Sequence, residues 1–158
     1  MRIALGSDEK SHVTQSVERE LLRRGAEVEL FGPLRGEALP WPDVARAVAE
    51  AVASGRADEG VLFCWTGTGV SMAANKIAGI RAALCGDAET ARGARAWNQA
   101  NVLCMSLRST TETVAKEILE AWFTAEPDPS EIENVDKVKS LDEEYRSGGP
   151  WPARGEKG

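Results

Sequence analysis

Val61-Leu62-Phe63-Cys64-Trp65-Thr66-Gly67-Thr68-Gly69-Val70-Ser71-Met72-Ala73-Ala74-Asn75-Lys76 passes from an apolar run through a glycine-rich loop into a helical pattern. Val61–Cys64 reads as a strand buried on both faces, and Val70–Lys76 reads as the helix that follows. Four more short apolar runs share this look: Arg2–Gly6, Val28–Gly32, Ala82–Cys85 and Val102–Met105. Between them lie helical patterns. Val13, Val17, Leu21 and Leu22 share one face of a segment that ends at Gly25. Pro42 to Gly55 repeats the design, with proline at the start and glycine at the end. Thr111 to Phe123 reads as the last core helix, with Val114, Ile118, Leu119 and Trp122 inward. Strands alternating with helices predict an α/β fold, a five-stranded parallel sheet with helices on both faces.

The 158 residues, 42% hydrophobic and 28% charged, suit one core and leave no room for a second. Nineteen basic against 25 acidic residues leave a net charge of −6, and no basic cluster exceeds Arg23-Arg24. Nucleic acid is therefore excluded as a partner. No apolar run approaches the ~20 residues of a membrane span, and Met1–Gly6 is too short for a signal peptide, which places the protein in the cytoplasm, away from membranes. Cys64, Cys85 and Cys104 are odd in number and lack CxxC spacing, so they read as reduced thiols, not as disulfides or a metal site. Cys85 and Cys104 read as core residues.

Three regions are expected: an αβα domain over 1–125, an acidic extension over 126–146, and a flexible tail over 147–158. From Glu126 to Arg146 there are eight acids and three bases, a net of −5. Ile132, Val135, Val138 and Leu141 recur at spacing three, which predicts a short amphipathic helix that packs on a second subunit.

Parallel α/β sheets bind ligands at the carboxyl ends of their strands. Those ends carry Gly6-Ser7-Asp8-Glu9, Phe31-Gly32-Pro33, Cys64 to Gly69, Cys85-Gly86-Asp87 and Met105 to Arg108. The third combines a thiol, converging backbone N–H groups and a helix start, a setting that lowers a thiol's pKa and can hold a developing oxyanion. The same residues also suit a buried cysteine before a tight turn, and both readings stand. A dinucleotide fingerprint fits less well. Gly67 and Gly69 supply two of its glycines and Asp87 lies 20 residues beyond, but the third glycine position is Met72 and the loop follows the third strand.

Gly6-Ser7-Asp8, Trp41-Pro42-Asp43, Cys64-x-Thr66-Gly67-x-Gly69, Ala73-Ala74-Asn75-Lys76, Gly79-Ile80-Arg81-Ala82-Ala83, Asn98-x-x-Asn101-Val102-Leu103 and Arg108, in this order, resemble the type B ribose-5-phosphate isomerases and galactose-6-phosphate isomerase subunits. The resemblance runs from residue 1 to about 123. It implies a three-layer αβα Rossmann-like domain that forms a homodimer, with a tetramer also open, and active sites at the subunit interface. It implies aldose–ketose isomerisation of a sugar through a cis-enediolate, without cofactor or metal. Cys64 matches the base that moves a proton between C1 and C2, and Thr66 assists it. Amides from Gly67 through Thr68 and Gly69 to Ser71 match the enediolate cradle. Asp8 and Asn98 match contacts to sugar hydroxyls, and Arg108 matches an arginine near the phosphate.

Several positions depart from the family pattern. The histidine after the matched Asp8 is Glu9, and the ring-opening histidine before Asn98 is Trp97. Trp65 replaces a small residue and Trp41 a tyrosine, two indoles suited to a sugar face or to ordinary packing. Acids at Glu131 and Glu133 stand where the family carries cations for the phosphate, although Arg92, Arg95 and Arg108 offer others. The expected activity is thus an aldose–ketose isomerase of a sugar phosphate or related sugar, for which ribose 5-phosphate itself is a poor substrate and an unphosphorylated, less anionic or readily opened carbonyl compound is preferred. An epimerase or dehydratase acting on another α-hydroxycarbonyl compound, and a non-catalytic sugar-binding homologue, are the alternatives.

Overall fold

The computed structural model describes residues 1–147. Five parallel strands, β1 (Arg2–Ser7), β2 (Glu27–Phe31), β3 (Glu59–Cys64), β4 (Ala82–Leu84) and β5 (Val102–Ser106), form one sheet in the order β2-β1-β3-β5-β4. Six helices accompany them among the described residues: α1 (His12–Arg23), α2 (Trp41–Ala53), α3 (Thr68–Ala74), α4 (Ala88–Asn98), α5 (Glu112–Thr124) and α6 (Ile132–Ser147). The parallel αβα architecture is the one expected from the alternating pattern.

Each face of the sheet has its own core. Ile3, Leu5, Val61, Phe63, Leu103 and Met105 pack with α1, α4 and α5, whereas Ala4, Leu62, Cys64, Val102 and Cys104 pack with α2 and α3. Successive strand residues point to opposite faces, so strands buried on both sides must be apolar throughout. Leu5, Leu62, Leu103 and Trp122 are fully buried. Each buried leucine contributes about 1.5–3 kcal/mol against leaving it in water.

Local chemistry sets the helix starts. Ser11 and Thr14 form a reciprocal cap on α1, and Thr111 caps α5. Asp87, whose side chain accepts the Thr90 N–H, starts α4, a helix not expected from the sequence because its face is mostly alanine. α3 begins at Thr68, two residues before the expected Val70. α6 is longer than the expected short helix, and its apolar stripe divides: Val135 is buried, whereas Ile132, Val138 and Leu141 are about half exposed. The expected flexible tail lies outside the described residues except for Ser147, the last residue of α6.

The strand order reverses beside β1 and β3, which run side by side with Ser7 opposite Phe63. Asp8 and Cys64 are each one residue further on, so they flank the crevice at the switch point where open α/β sheets bind ligands.

Candidate active site

Cys64 is buried, 5% exposed, at the end of β3. Its carbonyl accepts the Leu107 N–H at 3.0 Å and the Gly67 N–H at 3.2 Å. The next carbonyl, of Trp65, accepts the Arg108 N–H at 2.9 Å and the Ser106 hydroxyl at 2.9 Å. The loop after the thiol is thus bonded to the loop after β5, and Arg108, exposed, leaves the same edge.

Gly67 must be glycine. Its φ is +75°, and a β-carbon there would stand 2.5 Å from Leu84 Cδ1 and 2.9 Å from the Met105 carbonyl. This tight approach turns the chain into α3 within three residues of the thiol. At Gly69 a β-carbon would stand 3.1–3.3 Å from the Trp41 ring, so that indole lies against the loop backbone. Trp65 is 60% exposed beside it.

The structure narrows the amide cradle expected over Gly67 to Ser71. Gly67 N–H is bonded to Cys64, and Ser71 N–H donates to the Gly67 carbonyl at 3.3 Å. The amides of Thr68, Gly69 and Val70, in the first turn of α3, donate to no protein acceptor among the described residues. The Thr66 and Thr68 hydroxyls lie 2.7 Å apart.

Charge and burial separate the three thiols. Burial, with Asp87 adding repulsion, pushes Cys85 up to about 12. Burial pushes Cys104 up as well, with Cys85 and Cys64 nearby adding to the shift. Burial thus favours the protonated form of both, and Cys64 is the thiol that ends β3 at the loop. Across the crevice, burial raises the Asp8 carboxyl above its usual range, and Glu9 adds to the shift. The Ser7 hydroxyl holds this turn, donating to the Glu9 carbonyl at 2.6 Å. Glu9 itself is exposed.

Trp97 and Asn98 lie elsewhere. They end α4 at the opposite edge of the sheet, where Arg95 Nη2 stands 2.7 Å from Glu59, the first residue of β3. A strand of six residues separates Glu59 from Cys64, roughly 17 Å at about 3.3 Å per residue. One chain therefore divides the expected site residues between two edges. Asp8, Glu9, Trp41, Cys64 to Ser71 and Arg108 are on one, Trp97 and Asn98 on the other.

At that second edge α6 folds back over the α3–β4 connection. Asp142 accepts the Gly79 N–H at 3.0 Å and Arg146 donates to the Lys76 carbonyl at 2.9 Å. Between α6 and the body opens a groove of about 1020 Å³, lined by Trp97, Asn98, Ile80, Arg81, Val138 and Leu141 among others. No cysteine lines it. Trp97 lies flat on Gly93, where a β-carbon would be 2.5 Å from the indole, with Arg92 stacked 5.5 Å from the ring centroid. Glu131 is engaged by Asn134 at 2.8 Å, and Glu133 is exposed. Asn75, Arg81 and Asn101 in this region belong to the motifs Ala73-Ala74-Asn75-Lys76, Gly79-Ile80-Arg81-Ala82-Ala83 and Asn98-x-x-Asn101, but the sequence alone assigned them no role.

No group of three or more histidine, cysteine, aspartate or glutamate side chains that could hold a metal occurs among the described residues, and none of their helices is long and apolar enough to cross a membrane. A thiol and a carboxyl at the switch point of a parallel sheet, beside a glycine-tight helix start, mark an α/β enzyme that works on a small molecule. The chain belongs to the Ribose/Galactose Isomerase family, whose model matches residues 3–141. It is 40% identical over 126 residues to ribose-5-phosphate isomerase B of Escherichia coli, covering 79% of this chain and 85% of that one. Over 128 residues it is 37% identical to a D-erythrulose-4-phosphate isomerase of Pectobacterium atrosepticum, covering 80% and 84%. Its fold superimposes on the ribose-5-phosphate isomerase B of Clostridium thermocellum with a TM-score of 0.85 at 36% identity, over 92% of this chain and 99% of that one.

Proposed function

We propose that the protein is an aldose–ketose isomerase of a phosphorylated sugar, and that Cys64 is its base. The observation that carries this is the Cys64 loop, where a glycine that admits no side chain brings three uncommitted amides within a few residues of a strand-end thiol. Ionised, the Cys64 sulfur takes the proton from C2 of the aldose. The electrons of that C–H bond form the C1–C2 double bond of a cis-enediolate, and the carbonyl π electrons move to O1. The proton then returns to C1, a hydroxyl proton passes from O2 to O1, and the ketose results. Oxidation of C2 balances reduction of C1, so the exchange needs no redox partner. The amides of Thr68, Gly69 and Val70 supply donors for the developing oxyanion. Thr66, its hydroxyl fixed by Thr68, orients the substrate beside the sulfur.

The working unit in this reading is a homodimer. Trp97 and Asn98 end α4 at the edge of the sheet away from Cys64 in their own chain, and the half-exposed Val138 and Leu141 line the groove beside them. A second copy seated in the groove brings its Cys64 edge to these residues, and twofold symmetry completes both sites. The three free buried thiols suit a reducing compartment, the cytoplasm.

Trp97 points to an open-chain substrate. An indole is a donor only and accepts no ring-opening proton. A four-carbon sugar esterified on O4 has no hydroxyl left to close a five-membered ring, so it needs no such step. D-erythrulose 4-phosphate, the substrate in one relative's name, belongs to this class. Arg108, which pairs with no carboxylate among the described residues, supplies a cation for the phosphate on the Cys64 edge.

Incubation with D-erythrulose 4-phosphate in D₂O tests the reading. Exchange of deuterium into the substrate carbon and net isomerisation are expected, and Cys64→Ser should lower both by a factor on the order of 10²–10⁴. A folded Cys64→Ser variant with full activity would remove Cys64 from the chemistry.

A further inference from the structure

Arg81 stands beside the end of α4 with a guanidinium that has no carboxylate partner among the described residues. It spends its donors on backbone carbonyls. Nε donates to Gln99 at 2.9 Å and to Asn98 at 3.2 Å, and Nη2 donates to Gln99 at 2.7 Å. These are the last carbonyls of the helix, its negative end, where a cation is favoured.

The backbone that carries Arg81 is itself held from two sides. The Asn101 carboxamide accepts the Arg81 N–H at 2.8 Å and donates to the Gly79 carbonyl at 2.9 Å. The Asn75 carboxamide makes a matching pair of bonds with the N–H and carbonyl of Ala82, both at 2.8 Å. Two side-chain amides thus pin residues 79–82.

What the guanidinium grips is unusual. Gln99, with φ 48° and ψ 42°, is the one non-glycine residue with positive φ among the described residues. A side chain disfavours that conformation, and here it falls immediately after Asn98. Release of the clamp lets α4 end differently and turns Asn98 and Trp97 away from the groove.

We propose that Arg81 is a positioning residue of the isomerase: by clamping the Asn98 and Gln99 carbonyls it holds Asn98 in the orientation with which it enters the active site of the other subunit. The proposal rests on the composite site described above. Arg81 Nε and Nη2 are engaged with the protein's own backbone, which ties the guanidinium to the end of α4.

The test is a double-mutant cycle on the intact dimer, with D-erythrulose 4-phosphate or ribulose 5-phosphate as substrate, whichever the wild type converts faster. Arg81→Lys should lower kcat/KM on the order of tenfold, as displaced reactive geometries do. Asn98→Ala should lower it at least as far, and the double variant should be no worse than Asn98→Ala alone. Adding Gln99→Gly to Arg81→Lys should restore at least half of the lost kcat, because glycine adopts the cap unaided. If Arg81→Lys unfolds, Gln99→Val, which resists positive φ with the guanidinium intact, should reproduce the loss and the same non-additivity with Asn98→Ala. Multiplicative losses from Arg81 and Asn98, or no rescue by Gln99→Gly, would overturn the positioning role and leave the composite site standing. Full activity in Asn98→Ala would instead overturn the composite site, and the role of Arg81 with it.

Discussion

Mixing two inactive variants should restore activity. Cys64 ends β3, whereas Asn98 ends α4, whose Arg95 reaches the first residue of that strand, roughly 17 Å back along it, so the two residues of one chain serve different sites in the shared-site reading. Cys64→Ser removes the base and should leave about 1% of turnover or less. Asn98→Ala removes a contact to the substrate worth about 1.5–3 kcal/mol in the transition state, which leaves between about a tenth and a hundredth. In a mixed dimer, the Asn98→Ala chain supplies Cys64 and the Cys64→Ser chain supplies Asn98, so one site is whole and the other lacks both groups. Random exchange of equal amounts makes half of the dimers mixed, with one working site in two, and total activity should approach about a quarter of wild type. The assay is initial rate against time after mixing, with native mass spectrometry to count the mixed species. A mixture that contains its full share of mixed dimers yet stays at the mean of its parents would refute the shared site.

Ribose 5-phosphate, mostly cyclic in water, should be converted with kcat/KM below ~10⁴ M⁻¹s⁻¹, and D-erythrulose 4-phosphate should exceed it. A coupled assay that reverses this order would require another group, such as Glu9, to open the ring. Gly67→Ala adds strained φ and a contact 2.9 Å from the Met105 backbone, so urea unfolding should show a loss of about 2 kcal/mol or more, together with loss of turnover. Glu20 is buried under Arg23 and Arg24, whose hydrogen bonds and charge hold it at about 2. A depressed carboxyl stabilises the fold above the ordinary carboxylate pKa and ceases to do so as pH falls towards 2. Thermal scans should therefore show stability falling from about pH 4.5 downward, and Glu20→Gln should flatten that limb.

Much of this architecture was legible before any coordinates. Each of the five apolar runs lies on an observed strand, with ends shifted by at most two residues; β1, β3 and β5, buried on both faces, must be apolar almost throughout, whereas the edge strands β2 and β4 are only partly buried. The Cys64 loop was legible for a related reason: only a turn that brings backbone close to backbone needs glycine where Leu84 and Met105 leave no space. Helix α4 was not legible. Its buried residues are Ala91, Gly93, Ala94 and Ala96, too small to give a strong apolar stripe, and only the Asp87 cap marks its start.

Local sequence determined the strands, the capped helix starts, the thiol at a strand end and the absence of the two family histidines, since each depends on residues a few positions apart. Tertiary structure alone decided which residues share an edge. The insertion of β5 between β3 and β4 carries α4 back across the sheet, so Arg95 near its end meets the start of β3 while Cys64 stands at that strand's finish. The same holds for the groove under α6 and for the Arg81 clamp, whose partners are 17 and 18 residues away along the chain. Hydrogen bonds between such distant segments form only after the sheet has packed, and no local spacing encodes them.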